Sequence, residues 1–209
     1  MNAPDWIIWD WNGTLLDDNE ATLSAFNEQL VKRGYGPVTF DFYRRNFSFP
    51  VKPFYALCGV DLAREDWDAI AREYHEAYAH APKTLNREAI SALRRARALG
   101  ARQGILSALR QDLLDAAVDA AGIRPFFDFV CGSDNLDGSG KMERAKDLKA
   151  HLSGRLVMIG DALHDYEVAR AMGARCVLCA QGGHSAERLK AVAPTGDTLL
   201  EAIALAIGA

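Results

Sequence analysis

Hydrophobic residues along this chain fall into short unbroken runs separated by longer stretches in which they recur every three or four positions. The runs are Trp6–Trp9, Gly104–Leu106, Phe127–Cys131, Leu156–Ile159 and Cys176–Cys179. Strands apolar on successive residues are buried on both faces, as in a parallel sheet covered by helices. The stretches between them predict those helices. One carries Ile90, Leu93 and Leu99, with Asn86 as candidate N-cap and Gly100 just past its end. A second runs from about Asp112 to Ala121 and stops at Gly122, and a third carries Val168, Ala171 and Met172 before Gly173. Strand and helix in alternation predict an α/β fold with a doubly wound parallel sheet.

Residues 17–85 break that rhythm. They are too long for one crossover and mostly helical in pattern, clearest at Leu23–Phe26 and Asp66–His80. They also hold 12 of the chain's 19 aromatic residues. A small unit needs large side chains to build a core of its own. The expectation is a helical cap spanning 17–85, inserted into an α/β core formed by 1–16 and 86–209.

Composition narrows the class further. Of 209 residues, 49% are hydrophobic and 25% charged, the balance of a globular protein. A net charge of −4 offers no basic face for nucleic acid. No apolar run is long enough for a membrane span, and Met1–Asp5 lacks a signal-peptide profile, so the expected location is the cytoplasm. Cys176 and Cys179 have C-x-x-C spacing, but on a strand residues three apart face opposite ways, so buried structural thiols are expected rather than a shared ligand.

In an open α/β sheet, ligands bind beyond the carboxyl ends of the strands. The first strand delivers Asp10-Trp-Asn-Gly-Thr-Leu-Leu-Asp17, the second ends at Ser107, and the fourth delivers Gly160-Asp161-Ala-Leu-His-Asp165. Lys141 opens the helix before that fourth strand. Carboxylates, a hydroxyl and an ammonium are thus expected to converge on one edge. Asp10 is the hardest of them to explain as structure alone, because a carboxylate ending a buried strand needs a partner or a metal.

Four motifs in this order resemble the haloacid dehalogenase superfamily: Asp10-x-x-Gly13-Thr14-Leu15, then Ser107, Lys141 and Gly160-Asp161-x-x-x-Asp165. The resemblance spans nearly the whole chain. The insertion after the first motif is similar to the helical cap of the phosphoglycolate phosphatase and β-phosphoglucomutase branch. It implies a phosphohydrolase acting on a small phosphorylated metabolite, with Asp10 as the nucleophile that becomes an aspartyl-phosphate. It also implies Mg2+ held by Asp10, Asp161 and the backbone carbonyl of Asn12, with Asp165 as a further ligand or anchor. Ser107, Gly13 and Lys141 would hold the phosphoryl group, Lys141 also offsetting repulsion between carboxylates and substrate. Cap residues would choose the substrate; among Tyr43, Arg44, Arg45 and Lys52, Arg44 is the named candidate. His164 is a candidate near the site that could stand in for a missing acid, and His184 a candidate for its mouth.

One residue departs from the pattern. In phosphatases of that superfamily, the position two after the nucleophile is an aspartate that protonates the leaving alcohol and then helps activate water. Here it is Asn12, whose amide neither gives nor takes a proton. General acid–base catalysis is typically worth about 10²–10⁴-fold, so slow turnover of alkyl phosphates is expected, with Asn12→Asp raising it more than turnover of aryl phosphates. Two other readings stay open: a phosphate-binding or regulatory protein that has lost turnover, and a carbon–phosphorus hydrolase, which would need a cap lysine such as Lys32 or Lys52. Oligomeric state is not legible in the sequence.

Overall fold

The computed structural model describes residues 4–134 and 140–208. In chain order, β1 (Trp6–Trp9) is followed by β2 (Leu16–Asp17), four helices, α1 (Asn19–Lys32), α2 (Phe40–Asn46), α3 (Lys52–Leu57) and α4 (Trp67–His80), and then β3 (Thr84–Leu85). Helix α5 (Ala89–Ala98), β4 (Arg102–Arg110), α6 (Gln111–Ala120), a 3-10 turn and β5 (Phe129–Ser133) come next. The chain ends with α7 (Gly140–His151), β6 (Leu156–Gly160), α8 (Leu163–Met172), β7 (Arg175–Cys179), α9 (Ala186–Lys190), β8 (Thr195–Gly196) and α10 (Leu199–Gly208).

Six strands form one parallel sheet in the order β5-β4-β1-β6-β7-β8. The order reverses at β1, whose Trp9 pairs with Ile105 on one side and Ile159 on the other. That reversal opens a crevice at the carboxyl ends of β1, β4 and β6, where open α/β sheets bind ligands. Alternate residues of the strands feed two cores. Ile7, Trp9, Ile105, Ile159 and Cys179 pack on one face with α5, α6 and α10. Ile8, Leu106, Met158, Cys176 and Leu178 pack on the other with α7 and α8. The two cysteines therefore face opposite ways, as period-two geometry requires. Trp9 is buried with its indole N–H satisfied, donating to Gln103 Oε1 at 3.0 Å.

Helices α1–α4 share a separate core of Phe26, Leu30, Tyr43, Phe54, Tyr55, Val60 and Ile70. Phe54 is its centre, with the rings of Phe26, Tyr43 and Phe47 at 5.0, 5.3 and 5.4 Å. The chain passes between this helical layer and the sheet through a two-stranded antiparallel ribbon, in which Leu16 pairs with Leu85 and Asp17 with Thr84. Strands of two residues are too short to show a period, so neither they nor β8 were foreseen.

The helix after the ribbon differs from expectation. It begins at Ala89 with Glu88 as N-cap, and Asn86 lies outside it. Asn86 accepts the Glu88 N–H through Oδ1 and donates through Nδ2 to Thr14 O, so it ties the helix start to the loop after β1. The buried stripe is Ala89, Ala92, Leu93 and Ala96, spaced i, i+3, i+4, i+7. Ile90 lies off that stripe and Leu99 past the helix end; they are 40% and 42% exposed. Strand β4 also runs past Ser107 to Arg110, with its pairing to β5 shifted after Leu106.

Candidate active site

Strand β1 ends at Trp9, and the next residue, Asp10, donates its backbone N–H to Ile159 O at 2.8 Å. The carboxylate is therefore anchored at the sheet's central edge. Strand β6 ends at Gly160 and hands over to Asp161, and the first turn of α8 brings in Asp165. One carboxylate oxygen from each of Asp10, Asp161 and Asp165 lies within 4.8 Å of the others. Lys141, in the first turn of α7, reaches in from the other side of β1, its Nζ 2.5 Å from both Asp10 Oδ1 and Asp165 Oδ1. All four residues are buried, Asp10 at 6% exposure.

The carboxylates differ in their partners. Asp165 Oδ2 accepts the backbone N–H groups of Asp161 and Ala162, at 3.0 and 2.9 Å. Burial would raise its pKa, but Lys141 and the Ala162 N–H outweigh burial and hold it below the usual range. Burial pushes Asp10 up to about 7 against the opposing pull of Lys141. Asp161 receives hydrogen bonds from Thr14 Oγ1 (3.0 Å) and Gly183 N (2.6 Å). Burial, then Asp10 and Asp165, hold Asp161 well above the ordinary carboxylate range. Burial works against the Lys141 ammonium too, yet its two carboxylate neighbours raise its pKa.

Two glycines make this crowding possible. A Cβ at Gly160 would run into the Asp165 carboxylate. Gly13 has φ +71°, and a Cβ there would meet Asp161. Ser107 lies two residues beyond Ile105, the partner of Trp9, so it sits at the same edge, buried, its Oγ accepting the Leu109 N–H at 3.1 Å.

Asn12 turns the nitrogen of its side chain toward a carboxylate that sequence reading passed over. Its Nδ2 donates to Asp18 Oδ2 at 2.8 Å and to the Tyr78 hydroxyl at 2.7 Å. Asp18, buried at 4% exposure, also accepts from Gly13 N (2.7 Å) and Tyr78 OH (2.6 Å). Asp18 is one residue past the ribbon strand β2, and Tyr78 is in the last turn of α4, sixty positions away. The only sequence signal for the pair was a second aspartate directly after Asp17.

The remaining candidates are placed elsewhere. Arg44 Nη2 donates to Ala180 O (2.5 Å) and His184 O (2.8 Å), while Arg188 Nη1 returns to Arg44 O (3.0 Å) and Phe47 O (2.9 Å). Those bonds clasp α2 onto the segment after β7. Lys32 pairs with Glu73, Arg45 with Asp41, and Lys52 lies over the Trp67 ring at 5.1 Å. His184 Nδ1 accepts the Leu163 N–H at 3.1 Å, which puts the ring proton on Nε2. Burial drops His184 to about 4, and burial and Lys141 lower His164. Both rings are therefore neutral at pH 7, and each packs on a helical-layer aromatic, His184 on Phe47 and His164 on Phe49.

Residues 7–179 match the haloacid dehalogenase-like hydrolase family. A phosphoglycolate phosphatase of Rhodobacter capsulatus is 28% identical over 185 residues, covering 84% of each chain. That of Caulobacter vibrioides is 28% identical over 191 residues, covering 84% of this chain and 79% of the relative. Among solved structures, Protein Tyrosine Kinase A of Mycobacterium tuberculosis superposes with a TM-score of 0.77 over the whole of both chains at 23% identity, a likeness of fold.

Proposed function

Since the chain belongs to the haloacid dehalogenase-like hydrolases, we propose that it is a Mg2+-dependent phosphatase of small phosphorylated metabolites, working through phosphorylation of Asp10. One observation carries this reading. With all three ionised, the buried carboxylates against one ammonium would leave two negative charges at the sheet edge, which one divalent cation balances. The donors are oxygens, the preference of a hard ion such as Mg2+. Among the described residues, Asp161 in particular has hydrogen-bond donors but no cation of its own. Asp10, Asp161 and the Asn12 carbonyl would hold the ion, with Asp165 orienting the site through Lys141 and the Asp161 N–H. When bound, Mg2+ would offset phosphoryl charge and polarise phosphorus.

The chain's own residues then divide the work. An Asp10 carboxylate oxygen attacks phosphorus, and the bond to the leaving oxygen breaks with its electron pair. Asn12 has no proton to give, so the leaving oxygen is protonated from water, which favours aryl and acyl phosphates. Water then attacks phosphorus, the bond to Asp10 breaks, its carboxylate is restored, and phosphate departs with the water's proton released to solvent. Lys141 and Ser107 face the phosphoryl oxygens throughout. Helices α1–α4 act as a cap over this edge, reaching it through Tyr78 and clasped to it through Arg44.

The 28% identity to phosphoglycolate phosphatases makes 2-phosphoglycolate the first metabolite to assay. Steady-state and burst kinetics with that compound and with p-nitrophenyl phosphate, with and without Mg2+, test the reading against Asp10→Asn. Turnover that needs both Mg2+ and Asp10 is the expected result. Turnover that survives Asp10→Asn would refute the aspartyl-phosphate route. Asn12 also favours a second reading, a phosphate-binding protein without turnover; phosphate binding with no release of p-nitrophenol in any condition would establish it.

A further inference from the structure

Asn12 is fully paired on its donor side. Its amide nitrogen has two hydrogens, and one goes to Asp18 and the other to Tyr78. The Tyr78 hydroxyl donates in turn to the same Asp18 oxygen, closing a ring of three hydrogen bonds at 2.8, 2.7 and 2.6 Å. The other Asp18 oxygen is engaged by the Gly13 N–H. An ionised carboxylate only accepts, so the nitrogen of the Asn12 amide, and not its oxygen, must face Asp18. That leaves Oδ1 as the acceptor the Asn12 side chain offers outside the ring.

The three partners come from different parts of the fold. Asn12 is in the loop after β1, Asp18 stands between the ribbon and α1, and Tyr78 closes α4. A ring this short, part-buried and drawn from three elements, fixes one side-chain orientation. We infer that Asp18 and Tyr78 are positioning residues for Asn12, and that positions 12 and 18 form a matched amide–carboxylate pair presenting the Asn12 carbonyl oxygen as a fixed acceptor at the Asp10 site. The catalytic half of this inference rests on the hydrolase reading, since the acceptor is there to orient the leaving group or the incoming water. The pairing itself does not.

The pairing bears on the expectation that Asn12→Asp raises alkyl phosphate turnover more than aryl. That change removes both amide donors and sets a carboxylate against Asp18 at about hydrogen-bond distance, where like charges repel. The exchange N12D/D18N restores one donor facing one acceptor while moving the carboxylate to position 12.

The test compares wild type, N12D, N12D/D18N and Y78F by thermal unfolding at pH 7.5 and by kcat and KM for an alkyl phosphate, 2-phosphoglycolate, with Mg2+. The expected order is a lowered Tm in N12D that returns to within about 2 °C of wild type in N12D/D18N. The kcat of the double variant should exceed that of N12D by about tenfold or more, with KM within about twofold, and Y78F should lower kcat without moving KM. An N12D variant as stable as wild type and at least as active as N12D/D18N would overturn the inference. Loss of Asp10-dependent turnover in every chain, wild type included, would remove the hydrolase reading alone, because the thermal order still decides the pairing.

Discussion

Replacing Lys141 by Met removes a buried charge while keeping a long unbranched side chain of similar reach. The lysine side chain is 3% exposed, and its ammonium lies 2.5 Å from both Asp10 and Asp165. Deleting one partner of a buried ion pair typically costs about 3–5 kcal/mol, because the charges left behind are uncompensated. For a domain of this size each kcal/mol moves Tm by about 2–4 °C, which puts the loss at roughly 6–20 °C. The loss should depend on pH in a defined direction. Burial already pushes Asp10 up to about 7 with Lys141 pulling against it. Without the lysine that carboxyl moves further up and stays neutral in mild acid, so the penalty shrinks there. Thermal unfolding of wild type and Lys141→Met in EDTA at pH 5 and pH 8 measures both effects. A loss under about 2 °C at pH 8, or equal losses at the two pH values, would show that Lys141 does not hold the acidic cluster together.

The metal-free wild type should lose stability relative to Asp10→Asn as pH rises from about 4 to 7, a comparison that cancels the opposite slope from His184. Asp10 keeps its proton in the folded chain across that window while an ordinary aspartate has lost it, so the folded state binds more protons and the slope is negative. Asp165, held below the usual range, adds stability that disappears only on further acidification. Unfolding curves of both chains in EDTA and in excess Mg2+ check this: the decline in their difference should flatten with the ion, and a rise of that difference between pH 4 and 7 in EDTA would contradict it. In the helical layer, Phe54→Ala should cost about 3–5 kcal/mol, since Phe54 is 1% exposed and touches three rings. A urea-derived loss below about 1 kcal/mol would deny that layer a packed core of its own.

The parts of this molecule legible in its sequence are those with a period or a crowded context. Trp6–Trp9 reads as a strand because both of its faces are covered, and the two cysteines of β7 separate because a strand alternates. Asp10, Ser107, Lys141, Asp161 and Asp165 were found together because the ends of neighbouring strands meet at one edge. Asn86 misled because an asparagine before an apolar run has the signature of a cap, and nothing local shows that its amide is spent on Thr14. Arg44 was the named candidate for substrate, and nothing local showed that its guanidinium also reaches the backbone carbonyls of Ala180 and His184, acceptors that carry no sequence signature. Asp18 and Tyr78 were missed for a related reason. Their bond joins residues sixty positions apart, and a polar contact of that range leaves no repeat for a pattern to detect.

The short ribbon of β2 and β3 also bears on how such a chain can change over time. Leu16 and Leu85 are directly paired, so everything between them departs from and returns to neighbouring points. Lengthening or replacing that stretch leaves the strand order and both cores of the sheet untouched, since loop length is cheap once the ends are held together. On the proposed reading, the chemistry at Asp10 and the choice of what reaches it lie on separately exchangeable lengths of chain, tied back together by the Arg44 clasp, the Asn12 ring, the Asn19–Gln181 hydrogen bond and the packing of His184 and His164 on Phe47 and Phe49.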